Sequence, residues 1–211
     1  MHLSEMSRGS WWRADRRLAG PVSIATAVLA LALYGYEATS AQQSNPPPKA
    51  ASGDAKRGEY LVTVIGCNDC HTPLRLNAQG MPEPDMSRML SGHPESVKMP
   101  PPPVLDPNTW NWVGGATGTA YAGPWGVTYA ANLTPDDNTG MGIWTEDMFV
   151  RAMRTGRHMG TSRPIQPPMP WLWISKMTDD DLKAMYAYLR IIPLVVNHVP
   201  DYAPPPEPEK K

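Results

Sequence analysis

The chain has 211 residues, a formal net charge of −1, 25 prolines and 17 glycines. This length allows one domain with appendages, and the near-neutral charge argues against nucleic-acid binding, which requires a basic face. So many helix breakers predict a loop-rich fold with few short helices. Such a fold usually needs a disulfide, a metal or a cofactor to hold it together.

The first 41 residues are predicted to be an export signal or a membrane anchor. Four arginines precede an uncharged run over 18–36, and a small-residue stretch with a predicted cleavage point after Ala41 follows it. The run is longer than the roughly 7–15 residues usual in a signal and approaches the roughly 20 that span a bilayer. Both interpretations export the rest of the chain. The protein is therefore expected on the periplasmic side of a bacterial membrane, either anchored or soluble after cleavage.

Proline-rich segments flank the predicted domain. Residues 42–52 form a polar linker and residues 200–211 a similar tail, and both compositions favour an extended chain. The domain itself is predicted over 53–199. If the N-terminal helix is retained, the linker becomes a tether that raises the effective concentration of the domain near membrane complexes.

Three helices are predicted in this domain. Thr145 and Thr178 are capping residues, and Asp181 stands at capping-box spacing after Thr178. No segment shows convincing strand alternation. The fold is therefore predicted to be mainly α, with long Pro- and Gly-rich loops over 72–144 and at most a small hairpin around 120–130. The helices are predicted over 54–66, over 145–157, and from Thr178 to a stop at Pro193.

The only two cysteines stand in C-N-D-C-H, residues 67–71, where a histidine follows the second thiol. This spacing is typical of c-type haem attachment. Thiols three residues apart on a helical turn reach both vinyl groups, and the next histidine then lies under the iron. Cys67 and Cys70 are predicted to hold one haem c covalently, with His71 as the proximal ligand. The porphyrin would also supply apolar core that a proline-rich chain lacks.

Two other uses of the cysteines are alternatives. In an oxidising compartment the pair could form a disulfide or act as a redox dithiol, although so small a loop would stabilise almost nothing. A zinc site would need about four ligands, and the sequence has no second Cys/His pair. The remaining histidines are scattered, at His2, His93, His158 and His198.

The sixth iron position requires a methionine thioether or a second histidine, and Met/His ligation raises the reduction potential. Met169 is the predicted ligand. It lies in Q-P-P-M-P-W (166–171), where three prolines restrict the backbone and no helix accounts for the residue. A restricted loop holds a weak ligand on iron with little loss of entropy. The alternative ligands are Met159, Met177, His158 and His93.

Four sequence blocks follow one another along the domain, over about 53–200. They are GEYLV to CNDCHTP at 58–73, NLTPDDNTGMGIWT at 132–145, PPMPW at 167–171 and LKAMYAYLR at 182–190. With these blocks the chain resembles the class I c-type cytochromes, specifically the bacterial group with single haem c domains related to the cytochrome subunits of periplasmic dehydrogenases. Many members carry two or three such domains, whereas this chain has one C-x-x-C-H motif.

The resemblance implies a class I cytochrome c fold, in which the two motif cysteines bind haem. It implies that His71 and Met169 are the proximal and distal ligands of iron. It also implies that the first and last helices cross, with Gly58 allowing Tyr188 and Leu189 to approach closely.

The block at 132–145 has two interpretations. Asn132 and its neighbours either cap turns, as Asn, Asp and Thr routinely do, or border the haem and bind a propionate. Trp171 is predicted to line the haem pocket, where an indole N–H can also meet a propionate. Trp125 and Trp144 are further pocket candidates, and Arg75 and Arg163 are weaker propionate candidates.

The expected function is one-electron transfer by an iron with both axial positions filled, and not enzymatic catalysis. The expected partners are an exported dehydrogenase or quinol-oxidising complex upstream, and an oxidase or another cytochrome downstream. A haem-relay subunit of a larger respiratory or photosynthetic membrane complex is an alternative, which the anchor and the insertion at 76–130 favour. A peroxidase-like haem enzyme with an open sixth position is another, and the Met169 loop argues against it.

Overall fold

The computed structural model describes residues 52–106 and 108–205. The predicted export signal or anchor, nearly all of the proline-rich linker and the end of the tail lie outside the described residues. Within the described ranges, no helix is both long enough and apolar enough to cross a bilayer.

Five α-helices lie in the described part of the chain. They are α1 (Ser52–Val64), α2 (Cys67–His71), α3 (Glu146–Thr155), α4 (Trp171–Ile174) and α5 (Asp179–Leu189). The three predicted helices correspond to α1, α3 and α5. The sequence predicts α2 only as a helical turn at the cysteines, and it does not predict α4. Both predicted threonine caps are confirmed, because Thr145 Oγ1 accepts from the Met148 amide at 3.2 Å and Thr178 Oγ1 accepts from the Asp181 amide at 3.1 Å.

Short strands form two antiparallel sheets, so the prediction of a mainly α fold is incomplete. β1 (Leu74–Leu76) pairs with β2 (Pro82–Pro84), and β3 (Val113–Gly114), β4 (Ala120–Gly123) and β5 (Gly126–Tyr129) form the second sheet in that order. The hairpin predicted around 120–130 is confirmed by β4 and β5, with Tyr121 opposite Thr128. The sequence does not predict β1, β2 and β3, because none of them exceeds three residues, which is too few to show alternation.

Helices α1 and α5 cross at Gly58, as the resemblance implies, and the atoms nearest to Gly58 belong to Ala184 and Tyr188 rather than to Tyr188 and Leu189. A Cβ atom on Gly58 would lie 1.9 Å from the Ala184 carbonyl oxygen and 2.8 Å from the Tyr188 Cβ. Only a residue without Cβ allows two backbones to approach this closely. Arg57 Nη2 and Asp181 Oδ1 join the same helices at 2.8 Å, but an ion pair this exposed contributes little to stability.

The hydrophobic core forms where α5 packs against both α1 and α3. The side chains of Cys67 and Met169 are partly buried, and both pack against this core. The core therefore joins the two parts of the chain that carry the predicted haem residues. Its buried side chains include Leu61, Val62, Leu90, Phe149, Ala152, Leu182 and Leu189.

The proline-rich end of the chain contacts the domain. Ala203 exchanges two backbone hydrogen bonds with Val127 in β5, at 2.8 and 2.9 Å. The Tyr202 hydroxyl donates to the Trp125 carbonyl. Ala203 thus adds a one-residue pairing to the outer edge of the second sheet.

Candidate haem attachment site

Helix α2 carries both cysteines and the histidine on little more than one turn. It begins after Gly66, whose φ of 80° is the left-handed conformation that glycine adopts at no steric cost. This residue turns the chain out of α1 and into α2. Because positions i, i+3 and i+4 share one face of a helix, Cys67, Cys70 and His71 lie on the same side of α2.

The His71 ring is buried and is oriented by a hydrogen bond. Its Nδ1 lies 2.8 Å from the Ala131 carbonyl oxygen. A carbonyl can only accept, so Nδ1 carries the proton and Nε2 keeps the lone pair that a metal requires. Burial lowers the pKa of His71, against the hydrogen bond to Ala131, which raises it. The neutral ring with a free Nε2 is therefore the favoured state.

Both cysteines are free thiols. Burial raises the pKa of Cys67 from 9.0 to about 11, against a smaller opposite effect of a backbone hydrogen bond. A redox dithiol depends on a lowered pKa that yields a thiolate at neutral pH. The shift at Cys67 has the opposite sign, so the redox alternative finds no support here.

The two alternative histidine ligands have other contacts. His93 is fully buried, and its ring nitrogens bond to Thr119 Oγ1 at 2.9 Å and to the Val97 carbonyl at 3.0 Å. No lone pair remains on His93 for iron. His158 packs edge-on against Trp144, with ring centroids 5.0 Å apart. In the part of the chain that the structure describes, no group of three or more His, Cys, Asp or Glu side chains is placed to hold a metal ion.

Stability is expected to fall as the pH drops below about 6.5, in part because of His93. Burial lowers the pKa of His93 from 6.5 in the folded protein, so the unfolded chain binds more protons just below that pH. This contribution is complete above the unfolded pKa and is lost as the pH falls toward the folded one. His93→Gln should flatten the fall in urea midpoint between about pH 7.5 and pH 5. Parallel curves for the variant and the wild type would contradict this prediction.

Asn132 is buried, and its side-chain amide is fully used within the protein. Its two N–H groups donate to Thr139 Oγ1 at 3.2 Å and to the Val195 carbonyl at 2.8 Å. Its oxygen accepts from the amide and the hydroxyl of Thr134, at 3.0 and 2.7 Å. No donor remains for a propionate, so these bonds match the turn-stabilising interpretation of the block. They also position the neighbouring Ala131, whose carbonyl orients the His71 ring.

Met169 is half-buried at the edge of the core, directly before α4. Trp171, the first residue of α4, packs against Gly156 at the end of α3. A Cβ on Gly156 would lie 2.3 Å from the indole Cε2. The φ of Gly156 is 64°, so glycine allows both the turn and the ring contact. This contact attaches residues 166–171, which we call the Met169 segment, to α3.

The predicted propionate donors differ in their surroundings. Trp125 Nε1 is buried and has no hydrogen-bond partner among the described residues. A buried N–H without an acceptor costs about 1–3 kcal/mol, so this donor suits a bound anion such as a propionate. Arg75 instead pairs with Glu83 at 3.0 Å on the exposed β1–β2 hairpin, and Arg163 is exposed.

Tyr121 is a site residue that sequence reasoning missed. It is buried in β4, where its hydroxyl donates to the Gly118 carbonyl. A Cβ on Gly118 would lie 3.7 Å from the Asp69 carbonyl oxygen, so this turn borders α2. Burial, and then a hydrogen bond with Cys70, raise the pKa of Tyr121. The predicted hairpin around 120–130 is the one signal that could have led to it.

The donor set fits a covalently attached haem. Two thiols that form no disulfide can form thioethers with vinyl groups. A neutral imidazole whose Nε2 is unprotonated can ligate iron. Met169 offers a thioether from the same core, and Trp125 offers a buried donor. These features are compatible with a c-type haem-binding site.

No family model matches the chain. It is 39% identical over 141 residues to the cytochrome c subunit of the quinone alcohol dehydrogenase of Gluconacetobacter polyoxogenes, an alignment that covers 67% of this chain and 22% of that protein. It is 27% identical over 166 residues to the fructose dehydrogenase cytochrome subunit of Gluconobacter japonicus, covering 78% and 27%. It is 29% identical over 133 residues to the gluconate 2-dehydrogenase cytochrome c subunit of Pantoea cypripedii, covering 63% and 22%.

The chain is a homologue of cytochrome c subunits of dehydrogenases, which confirms the resemblance carried by its four sequence blocks. It spans only about a quarter of the length of these relatives. Each relative is the cytochrome subunit of a dehydrogenase, so the prediction of an electron-transfer protein rather than an enzyme agrees with its relatives.

Proposed function

We propose that the chain is a one-electron carrier with a single haem c at its C-x-x-C-H motif, ligated by His71 and Met169, in a class I cytochrome c fold. The observation that carries this proposal is the hydrogen bond from His71 Nδ1 to the Ala131 carbonyl, at 2.8 Å. It leaves Nε2 unprotonated on the same helical turn as two free thiols. The crossing of the first and last helices and the homology to cytochrome c subunits support the same function.

Haem iron supplies a centre that gains and loses one electron. In this proposal Cys67 and Cys70 attach the porphyrin covalently, so it stays on the chain at any concentration. The Ala131 carbonyl keeps the His71 imidazole in one tautomer, and Trp125 Nε1 would be available to a propionate. Met169 would be the second protein ligand of iron, which would leave no place on the metal for a substrate.

The chain would relay electrons from a dehydrogenase or quinol-oxidising complex to an oxidase or another cytochrome, on the periplasmic side of a bacterial membrane. The names of the relatives, which are cytochrome subunits of alcohol, fructose and gluconate dehydrogenases, support a dehydrogenase as the upstream partner. The first 41 residues would either anchor the carrier or be removed on export.

A haem-relay subunit of a larger complex is the second candidate. It is favoured by the relatives, each of which is a subunit of a dehydrogenase. Extraction of native membranes distinguishes the two candidates. A carrier is recovered alone, in the soluble fraction if its first 41 residues are removed and in detergent if they anchor it, whereas a relay subunit co-purifies with its complex in mild detergent.

The optical spectrum of the purified holoprotein tests the proposal, recorded oxidised and reduced, with and without carbon monoxide. We expect a low-spin spectrum with the near-infrared Met–iron band, no change with carbon monoxide, and haem that stays on the chain in a denaturing gel. A chain that gains no covalent haem beside the c-type maturation machinery contradicts the whole proposal. Ready carbon monoxide binding contradicts only the Met169 assignment, and favours the enzyme with an open sixth position.

A further inference from the structure

The segment 99–135 presents a surface almost without charge. Between Met99 and Pro135 the sequence has a single charged residue, Asp106. Several of its apolar side chains face solvent, since Val104 is 101% exposed, Trp110 61% and Trp112 41%. We call the following set the uncharged face: Pro102, Pro103, Val104, Leu105, Trp110 and Trp112.

An apolar groove of about 240 Å³ opens in the uncharged face. No polar side chain lines it, and Trp110 is the largest side chain in it. Asp106 uses its polar atoms locally: its carboxylate accepts from the Asn108 amide at 2.9 Å, and its carbonyl accepts from the Trp110 amide at 2.9 Å. This turn holds Trp110 at the groove. The groove is lined by Pro102, Pro103, Leu105 and Trp110, together with the end of β4 and Pro124.

Tyr121 lies between the uncharged face and α2, the helix that carries the two cysteines. Trp112 packs edge-on against Tyr121, with ring centroids 5.4 Å apart and planes at 78°. Tyr121 is buried and borders Cys70. A partner seated on Trp112 would therefore be separated from Cys70 by two aromatic side chains, Trp112 itself and Tyr121.

The lack of charge discriminates between kinds of partner. Transient redox partners use complementary charges for rapid encounter, whereas the cores of long-lived interfaces are aromatic-rich and poor in charge. Segments that lie on membranes combine aromatic residues with lysine and arginine. The segment 99–135 contains no lysine and no arginine. A bilayer also offers no single side chain to fill a groove of this size.

We propose that the uncharged face is the docking surface for a protein subunit whose own contact surface is apolar and uncharged, with one of its side chains in the groove. This inference rests on the proposed function, because it locates the surface on which the redox partner of a haem held at Cys70 would dock. The association is long-lived and insensitive to salt, since charge pairs contribute nothing that salt could screen.

Val104→Glu and Trp110→Ala test this proposal in the full-length holoprotein. Val104 is wholly exposed, so a glutamate there costs no packing. The tagged chain is isolated from its own membranes in mild detergent and washed in about 1 M NaCl, and the retained subunit is identified by mass spectrometry. That subunit is then purified and titrated against each holoprotein variant. We expect both variants to weaken its binding about tenfold or more, with unchanged haem spectra.

Trp173→Glu is the matched control, because Trp173 is a tryptophan outside the uncharged face that is 78% exposed. It should bind like the wild type. Equal affinity of Val104→Glu and the wild type overturns the proposal, as does the absence of any subunit whose retention depends on Val104. Loss of binding in Trp173→Glu alone would instead place the partner beside the Met169 segment.

Two further outcomes overturn the proposal in favour of another occupant. One is binding to phosphatidylcholine vesicles that Val104→Glu abolishes, and the other is a dimer of this chain that the same substitution dissociates. In every one of these outcomes the haem spectrum is intact, so the proposed function stands. A chain without covalent haem removes the proposed function instead.

Discussion

Met169→Leu is expected to open the sixth coordination position of the iron while the fold is kept. Leucine nearly matches methionine in volume, and such a swap costs less than about 1.5 kcal/mol. The packing of this residue against the core is therefore retained, and only the thioether sulfur is lost. We expect loss of the near-infrared band, carbon monoxide binding to the reduced protein, and a lower reduction potential. Axial ligands set haem potentials over a range of about 0.8 V, so a potentiometric titration should resolve the change.

The alternative methionine ligands are the controls for this experiment. Met177 also packs against the core, and Met159 lies in the short 3₁₀ turn His158–Gly160 with a φ of 54°. Met177→Leu and Met159→Leu should both keep the near-infrared band and the potential of the wild type. If Met169→Leu keeps the band and one of the controls loses it, the assignment of the distal ligand is wrong.

Gly58→Ala is expected to destabilise the protein, although alanine favours a helix over glycine by about 0.5–1 kcal/mol. The new Cβ would lie 1.9 Å from the Ala184 carbonyl oxygen. That oxygen belongs to the backbone of α5 and cannot rotate away, so the two helices must separate. Overpacking costs about 1–3 kcal/mol or more, which exceeds the gain in helix propensity.

The urea midpoint, followed by far-ultraviolet circular dichroism, measures this loss. With a slope of about 1–3 kcal/mol per molar urea, Gly58→Ala should lower the midpoint by roughly 1 M. Glu59→Ala is the control at the next position of α1, where the side chain is exposed. It should change stability by no more than about 0.5 kcal/mol. A Gly58→Ala protein as stable as the wild type would contradict the close crossing of α1 and α5.

The haem motif and the main helices were predictable because their signals are local. C-x-x-C-H lies within five consecutive residues, and the attachment chemistry depends only on residue type and spacing. The caps at Thr145 and Thr178 act over three positions, so they too can be inferred without knowledge of the fold. Gly58 was predictable through a different route, because the resemblance links its position to the crossing of the first and last helices.

The sequence alone could not predict β1–β3 or the position of Tyr121 beside the site. Strands of two or three residues, such as β1–β3, cannot show an alternating pattern. Which face Tyr121 presents depends on its pairing with β5, and a one-residue slip would turn it away from Cys70. Proline and glycine in this region predict loops, and they do not predict which loops meet.

The sequence by itself determined which groups are available to hold a covalent haem: two thiols and an imidazole at the spacing of the attachment motif, and a thioether in a proline-rich loop. Only the tertiary structure decided how they are oriented. The tautomer of His71 depends on the Ala131 carbonyl, 60 positions along the chain, and the role of Asn132 depends on the Val195 carbonyl, 63 positions along. Every residue carries a carbonyl, so no residue type marks these partners. Such bonds exist only because packing brings distant backbone segments together.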